Sequence, residues 1–230
     1  MSKTVVIHQP DFLPWPGFFD RLLTADLYIV LDHVQFVKRG WIHRDRIKTP
    51  RGPAWLTLTL QKDSVETPIN AMLLAPDLKW RKEHLNLIFG NYRHATFFKE
   101  IFPRLEALYL TAHEKLVDIN IAGLDMLSEM LDVHVPRMYS SQMNPAGSST
   151  ALNVDLLQKA GATRYLSGVG ARAYFDSALL TNAGIELEWQ DFDHPVYSQL
   201  HGEFVPMLSS IDVLFNCGID GARKILRGHP

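Results

Sequence analysis

Two short polar stretches near the start of the chain carry residues suited to chemistry. His8 and Gln9 directly follow one β-branched run, and Asp32 follows a second apolar run. An imidazole can contact a phosphoryl oxygen or act as an acid or base near neutral pH. A carboxylate can take a proton, hold a cation, hydrogen-bond a sugar hydroxyl, or simply cap a loop. We predict His8 and Asp32 as catalytic residues and Gln9 as a substrate-binding residue, with a structural histidine in a tight turn as the alternative for His8.

A basic segment follows Asp32 and offers groups that bind anions. Val34–Gly52 contains six lysine or arginine residues, with Trp41 and His43 among them. Guanidinium groups clamp phosphates with paired N–H groups, and an indole stacks on a base or a sugar. The alternatives are a solvated basic loop with Asp45 as its counter-charge, and nucleic acid, which is disfavoured because the net charge is −2. The predicted substrate-binding residues of this segment are Gln35, Lys38, Arg39, Trp41, Arg44 and Arg46.

Two later stretches also follow predicted strands. In SGVGAR, small residues allow a ligand close to the backbone, and a helix predicted over Ala171–Leu180 would favour an anion at its start. The segment HPVYSQLHGEF, residues 194–204, is unusually polar beside two hydrophobic elements. Because the histidines of the chain show no fixed ligand spacing, no metal site is predicted. The predicted substrate-binding residues of these stretches are Ser167, Gly168, Gly170, His194, Tyr197 and His201.

A sheet of alternating strands and helices would position these residues. Strands are predicted at Thr4–Ile7, Leu27–Leu31, Trp55–Leu60, Val133–Tyr139, Arg164–Leu166 and Ile185–Gln190. Helices are predicted at Gly17–Thr24, Ala151–Ala160, Ala171–Leu180 and Phe204–Phe215, with three more between residues 78 and 131. This succession predicts an α/β fold with a Rossmann-like parallel sheet flanked by helices and a mainly helical middle section. Ligands of such sheets bind at the carboxyl ends of the strands.

The composition bounds the class of protein. The chain is 47% hydrophobic and 21% charged, which is typical of a globular protein. We predict a single α/β domain over residues 1–230, in which residues 78–131 form a helical insertion or a cap. The single cysteine, Cys217, excludes an internal disulfide framework. No signal peptide and no membrane-spanning apolar run are recognised, so we expect a cytoplasmic protein with no membrane partner.

Four motifs along the chain resemble those of a known family. They are VIHQPDFLPWPGFF, DHVQFVKRGWIHRDRIK, YLSGVGARAYFD and SSIDVLFNCG, and they occur in the expected order. On these motifs the chain resembles the WbqC-like protein family. The resemblance implies an association with gene clusters for O-antigen and other surface polysaccharides. A looser similarity links the opening strand, turn, helix and strand to the nucleotidyltransferase-type α/β fold, although the HxGH tetrad of those enzymes is not present.

The residues and the resemblance together predict a transferase. Its substrate would be a nucleotide-linked or phosphorylated sugar in surface-polysaccharide biosynthesis, with His8 as acid or base and the arginines as an anion clamp. The alternative is a non-catalytic module that binds a nucleotide-sugar or a protein partner. The lack of a recognisable nucleophile motif favours this alternative, whereas the concentration of histidine, aspartate and arginine favours the enzyme. The sequence specifies no cofactor, and it leaves the oligomeric state open, a homo-oligomer included.

Overall fold

The part of the chain that the structure describes contains a five-stranded parallel sheet, a two-stranded antiparallel hairpin and seven α-helices. The computed structural model describes residues 2–62, 66–173 and 175–228. Its strands are β1 (Thr4–His8), β2 (Leu27–Val30), β3 (Arg44–Thr49), β4 (Gly52–Thr57), β5 (Arg137–Tyr139), β6 (Arg164–Ser167) and β7 (Glu186–Trp189). Its α-helices are α1 (Pro16–Leu23), α2 (Lys79–Tyr92), α3 (Phe98–Leu110), α4 (Leu116–Leu131), α5 (Ser149–Lys159), α6 (Ser177–Asn182) and α7 (Ser210–Leu226).

The chain divides by its contacts into two compact units. The first, called here the sheet unit, contains Met1–Gln9, Asp20–Val34 and His134–Asp193. The second, called here the helical unit, contains Pro10–Phe19, Gln35–Val133 and His194–Pro230. The helical middle section predicted from the sequence is present as α2, α3 and α4. Its role as an insertion or cap within one domain stays a prediction.

The strand order of the sheet unit is that of a Rossmann-like fold. The strands lie in the order β5-β2-β1-β6-β7, and every neighbouring pair is parallel. The chain therefore moves outward from β1 through β2 to β5, then crosses to the other side of β1 for β6 and β7. Strands β1 and β2 are apolar and almost wholly buried, as parallel strands covered on both faces must be. The predicted parallel α/β fold is confirmed.

The core of the sheet unit lies between the sheet and α5 and α6. Val5 and Ile29 of the sheet pack in one buried cluster with Leu156 and Leu157 of α5 and Leu180 of α6. These aliphatic residues recur at helical spacing in α5 and occupy the central strands, so the hydrophobic pattern determines which faces meet. The buried cluster holds the carboxyl ends of the strands in fixed positions.

The helical unit contains an antiparallel hairpin in addition to its helices. Strands β3 and β4 pair from Arg44 with Thr57 to Thr49 with Gly52. Helix α7 is kinked at Gly218, whose φ of 72° and ψ of 178° are not helical. No helix among the described residues is long and apolar enough to span a membrane.

Several sequence predictions are wrong in detail. The strand predicted at Trp55–Leu60 begins and ends three residues earlier, as β4. The second half of the basic segment is strand β3 and not a loop. Its buried positions are Asp45, Ile47 and Lys48, so the strand shows no hydrophobic alternation in the sequence. The segment after SGVGAR does not open a long helix. A short 3-10 turn covers Val169–Ala171, and α6 begins only at Ser177, where Asp176 caps it; Tyr174, inside the predicted helix, lies outside the described residues. The last helix begins six residues later than predicted and runs to Leu226.

Candidate functional site

Every strand of the parallel sheet ends in or next to polar residues. Because the strands are parallel, their carboxyl ends lie along one edge of the sheet unit. The polar residues of that edge are His8 at the end of β1 and Gln9 after it, Asp32 and His33 after β2, Ser140 and Ser141 after β5, Ser167 at the end of β6, and Gln190 after β7. Of the predicted site residues, six belong to this unit: His8, Gln9, Asp32, Ser167, Gly168 and Gly170.

Strands β1 and β6 pair over only part of their length. Their paired residues end at Val5 and Tyr165, although β1 runs on to His8 and β6 to Ser167. These two strands are also the point where the chain reverses its direction across the sheet. Rossmann-like proteins bind ligands in the crevice at this topological switch point. The geometry thus places the candidate site between His8 and Ser167.

His8 is neutral in the folded protein. Packing around the ring, and secondarily the charge of Arg21, lower the pKa of His8 from 6.5 to about 3. The ring atom Nδ1 lies 2.8 Å from the carbonyl oxygen of Gln9, which can only accept, so Nδ1 carries the proton. Nε2 is then the nitrogen with the lone pair. A neutral imidazole of this tautomer accepts a proton from a hydroxyl or amine, and it does not attract a phosphate as a cation would.

Arg21 is a residue of this site that the sequence did not reveal. It lies in the last turn of α1, in the part that belongs to the sheet unit, and is only 5% exposed. A Cβ added to Gly168 would collide with its Nη1 atom, so the guanidinium packs directly on the backbone that follows β6. The sequence shows only an arginine among the apolar residues of a short helix, and its burial is a property of the structure.

Asp20 and Gln190 continue this edge beside Arg21. Burial raises the pKa of the Asp20 carboxyl, against the lowering effects of the Gln190 hydrogen bond and of Arg21. The Nε2 group of Gln190 donates to Oδ2 of Asp20 at 2.7 Å. The backbone N–H of Gln190 donates to the carbonyl of Ser167 at 2.8 Å. These bonds connect the ends of β6 and β7 to the helix that carries Arg21.

The carboxylate of Asp32 holds the segment that follows β5. Oδ1 accepts from the Ser140 hydroxyl at 2.9 Å and from the Ser141 N–H at 2.9 Å, and Oδ2 accepts from the Ser141 hydroxyl at 2.7 Å. The Ser140 oxygen lies 2.6 Å from Nδ1 of His33. Asp32 is therefore a buried acceptor that ties two neighbouring strand ends together. Its predicted catalytic role stays a prediction.

Two of the predicted anion-binding arginines of the helical unit, Arg44 and Arg46, stack on tryptophans. The guanidinium carbon of Arg44 lies 4.1 Å from the ring centre of Trp55, and that of Arg46 lies 5.4 Å from Trp41 and 5.7 Å from Trp55. Arg44 Nη2 donates to the carbonyl of Arg39 at 2.5 Å, and Arg46 Nη2 to that of Met207 at 2.9 Å. Both guanidinium groups thus make cation–π contacts and hydrogen bonds within the protein, as well as carrying charge. The anion clamp stays a prediction.

A cavity of about 1050 Å³ lies in the helical unit beside this cluster. Three of the predicted substrate-binding residues, Gln35, Lys38 and Arg39, are on its wall. His43 also lines it, and burial together with the neighbouring Arg44 charge lowers the pKa of that imidazole.

The polar segment 194–204 makes contacts inside the helical unit. His194 stacks on Trp15 with ring centres 6.1 Å apart, and His201 Nε2 lies 2.9 Å from the carbonyl of Asn91. The Tyr197 hydroxyl donates to Asp212 at 2.8 Å, and burial raises the pKa of Tyr197. The Tyr92 hydroxyl donates to the other Asp212 oxygen at 2.6 Å. This buried carboxylate was not predicted, and its contacts anchor α7.

The predicted site residues therefore fall into two sets, one in each unit. The set in the helical unit comprises Gln35, Lys38, Arg39, Trp41, Arg44, Arg46, His194, Tyr197 and His201. A joint site formed by both sets stays a prediction. Among the described residues, no group of three or more histidine, cysteine, aspartate or glutamate side chains is arranged to hold a metal ion.

The chain is related to known proteins over almost its whole length. The pattern of the WbqC-like protein family matches residues 9–224. The chain belongs to this family. It is also 34% identical over 221 residues to the uncharacterized protein Rv1507c of Mycobacterium tuberculosis, and the alignment covers 95% of each chain. Comparison with solved structures gives no significant match.

The family match covers most of the candidate site of this WbqC-like protein. The matched range includes Arg21, Asp32 and Gly168, and it begins one residue after His8. It also includes the whole β3–β4 hairpin and its arginine and tryptophan residues.

Proposed function

We propose that this WbqC-like protein binds a phosphorylated small molecule, a nucleotide-linked sugar, at the carboxyl edge of its parallel sheet. One observation supports the proposal above others: the guanidinium of Arg21 lies against Gly168, at the end of β6 and beside the switch point of the sheet. A crevice at this position is where Rossmann-like sheets bind nucleotides.

The groups at the crevice suit a diphosphate. Arg21 supplies a permanent positive charge with several N–H donors, and guanidinium groups bind phosphate oxygens with two parallel hydrogen bonds. Gly168 has no side chain, so the Arg21 guanidinium can lie directly against the backbone after β6. Little solvent reaches this arginine, which is 5% exposed, so its attraction to a phosphate is weakly screened.

We further propose that the protein transfers the sugar to an acceptor. In this reaction the acceptor oxygen or nitrogen forms a bond to the anomeric carbon as the bond from that carbon to the diphosphate breaks. The acceptor proton passes to Nε2 of His8, and the diphosphate leaves with the electron pair, next to Arg21. Neutral His8 suits the proton-accepting role, and Asp32 would hold the neighbouring strand ends in register.

A binding module without catalysis is the second candidate, and two observations favour it. A histidine with a pKa of about 3 is a weak base, which reduces its value for removing a proton. The Asp32 carboxylate already accepts three hydrogen bonds from Ser140 and Ser141. Such a module would hold a nucleotide-sugar for another protein.

Calorimetry with the whole protein tests ligand binding. The probes are uridine diphosphate glucose, guanosine diphosphate mannose and inorganic pyrophosphate. Arg21→Gln keeps a polar side chain and removes the charge, so binding of the probe that wild type prefers should weaken by at least about tenfold. Arg164→Gln is the matched control, because Arg164 opens β6 at the opposite edge of the sheet and pairs with Glu186 and Glu188. The proposal fails if no probe binds, or if Arg21→Gln and Arg164→Gln bind equally.

A second measurement separates the two candidates. Release of nucleoside diphosphate from the bound nucleotide-sugar is followed with a mixture of sugar acceptors, for wild type and for His8→Gln. Transfer predicts release by wild type and its loss in His8→Gln with unchanged binding. Binding without release by wild type favours the module.

A further inference from the structure

The cavity of the helical unit has an apolar floor. Thirteen described residues line it, and the buried ones are Phe36, Leu58 and Met72. Leu60 and Val37 extend the apolar surface toward the opening. With the exception of Phe36 these are aliphatic or thioether side chains, which adapt to a flexible chain. At about 1050 Å³ the space is as large as typical small-molecule sites.

The rim of the cavity is cationic. Lys38, Arg39 and Lys62 line it and are exposed, and no acidic residue is among the described lining. Burial, and secondarily the charge of Arg44, lower the pKa of the His43 imidazole, which favours its uncharged form. The described wall therefore carries three positive charges and no compensating negative one. Such a rim attracts an anion to the opening.

The rim is held in shape from inside the protein. Arg39 has a φ of 67°, a left-handed conformation that a side chain rarely adopts. Its carbonyl accepts from Nη2 of Arg44 at 2.5 Å, and Arg44 is itself stacked on Trp55. The N–H of Gly40 donates to the carbonyl of Val37 at 3.4 Å and closes the same turn. These contacts fix the backbone of the turn that carries Lys38 and Arg39.

We propose that this cavity binds an amphiphilic anion: an aliphatic chain that ends in a phosphate or a carboxylate. The chain lies on Leu58, Leu60 and Met72, and the anionic end meets Lys38 and Arg39. The proposal involves no residue of the sheet unit, so it stands or falls independently of the nucleotide-sugar site.

Calorimetry of the whole protein with short-chain probes below their micelle concentrations tests the cavity. The probes are octyl phosphate, octanoate, octyl glucoside, octyltrimethylammonium and inorganic phosphate. Octyl phosphate or octanoate should bind at least about tenfold more tightly than the neutral, cationic and chain-free probes. The tighter of the two anions identifies the head group. Equal binding of octyl glucoside, or of inorganic phosphate, would overturn the proposal.

Three variants locate the binding. Lys38→Glu/Arg39→Glu reverses the rim charge at exposed positions and should weaken binding at least about tenfold. Thr59→Trp places a large ring at the exposed wall and should also weaken it. Lys99→Glu is the control: it makes the same kind of charge reversal at an exposed position on α3, outside the cavity lining, and should leave binding as in wild type. Circular dichroism and melting confirm folding of each variant. If Lys99→Glu weakens binding as much, or if the two cavity variants do not weaken it, the assignment is wrong.

Discussion

The guanidinium of Arg21 occupies the space that a side chain on Gly168 would need. This relationship connects the end of α1 to the end of β6, beside the switch point between β1 and β6. It also gives a reason for glycine at residue 168, whose φ of −71° would suit any residue. The space around the backbone, not its conformation, requires the absence of a side chain.

Gly168→Ala should therefore displace Arg21 and reduce ligand binding. The colliding atom is the far end of a flexible side chain, so we expect a loss of only about 1 kcal/mol in the free energy of unfolding. Binding of uridine diphosphate glucose, measured by calorimetry, should weaken by about tenfold. Gly90→Ala, in open space on α2, is the control and should bind as wild type does. Unchanged binding by Gly168→Ala would mean that Arg21 does not contact the ligand.

His8 should not titrate near neutral pH. Since its pKa falls from 6.5 to about 3 on folding, between these values only the unfolded chain binds a proton there. The His8 contribution to stability is thus complete above the unfolded pKa and decreases as pH falls toward the folded one. In urea unfolding over this range, His8→Gln should reduce the slope of stability against pH by up to about 1.4 kcal/mol per pH unit.

An NMR titration measures the same property directly. The His8 ring signal, assigned by its loss in His8→Gln, should stay constant between about pH 8 and 5. In the urea experiment, His84, whose pKa burial lowers to about 4, should contribute equally to the slope of stability against pH in wild type and in His8→Gln. A midpoint for His8 near the ordinary value would contradict the packing described around it.

Asp32→Asn should destabilise the sheet unit. The asparagine side chain has the same volume, but its NH₂ group replaces a carboxylate oxygen that accepts hydrogen bonds from Ser140 or Ser141. Two donors would then face each other. A buried donor left without its acceptor costs about 1–3 kcal/mol, so we expect a loss of about 2 kcal/mol in the free energy of unfolding. Ser141→Ala, which removes one donor at the exposed side, should cost about 1 kcal/mol. Equal stability of Asp32→Asn and wild type in urea would show that the network is not a structural tie.

Gly218→Ala should be strongly destabilising. Gly218 combines a φ of 72° with the Phe97 ring, whose nearest carbon would lie 2.6 Å from an added Cβ. Backbone strain at such a position costs about 1–3 kcal/mol before the steric conflict is added. Gly90→Ala is the opposite case, since its helical site is open and alanine should stabilise it by about 0.5–1 kcal/mol. Thermal unfolding that ranked the two variants the other way would contradict the kink at Gly218.

The parallel sheet was predictable because its central strands consist mostly of apolar residues. β1 and β2 are short, largely buried runs that consist mostly of apolar residues, and the apolar residues of the helix between them recur at helical spacing. Strand β3 was not, because its buried positions include Asp45 and Lys48, which an apolar pattern does not register. The ammonium of Lys48 is satisfied by the carbonyls of Gly202 and Glu203, residues far away in the sequence.

The candidate site was predictable only in part. His8, Asp32 and Gly168 follow strands, and their position at strand ends was visible from the sequence. Arg21 was not visible, because a charged residue on a short helix is usually solvated and only tertiary packing buries it. The contacts of Asp32 with Ser140 and Ser141 join residues more than a hundred positions apart, and no local pattern encodes them.

A crystal structure of the protein with uridine diphosphate glucose tests the central claim most directly. We expect the diphosphate between the ends of β1 and β6, within hydrogen-bond distance of the Arg21 guanidinium. The sugar should lie next to His8. A diphosphate bound elsewhere on the protein, with the crevice between His8 and Ser167 unchanged, would contradict it.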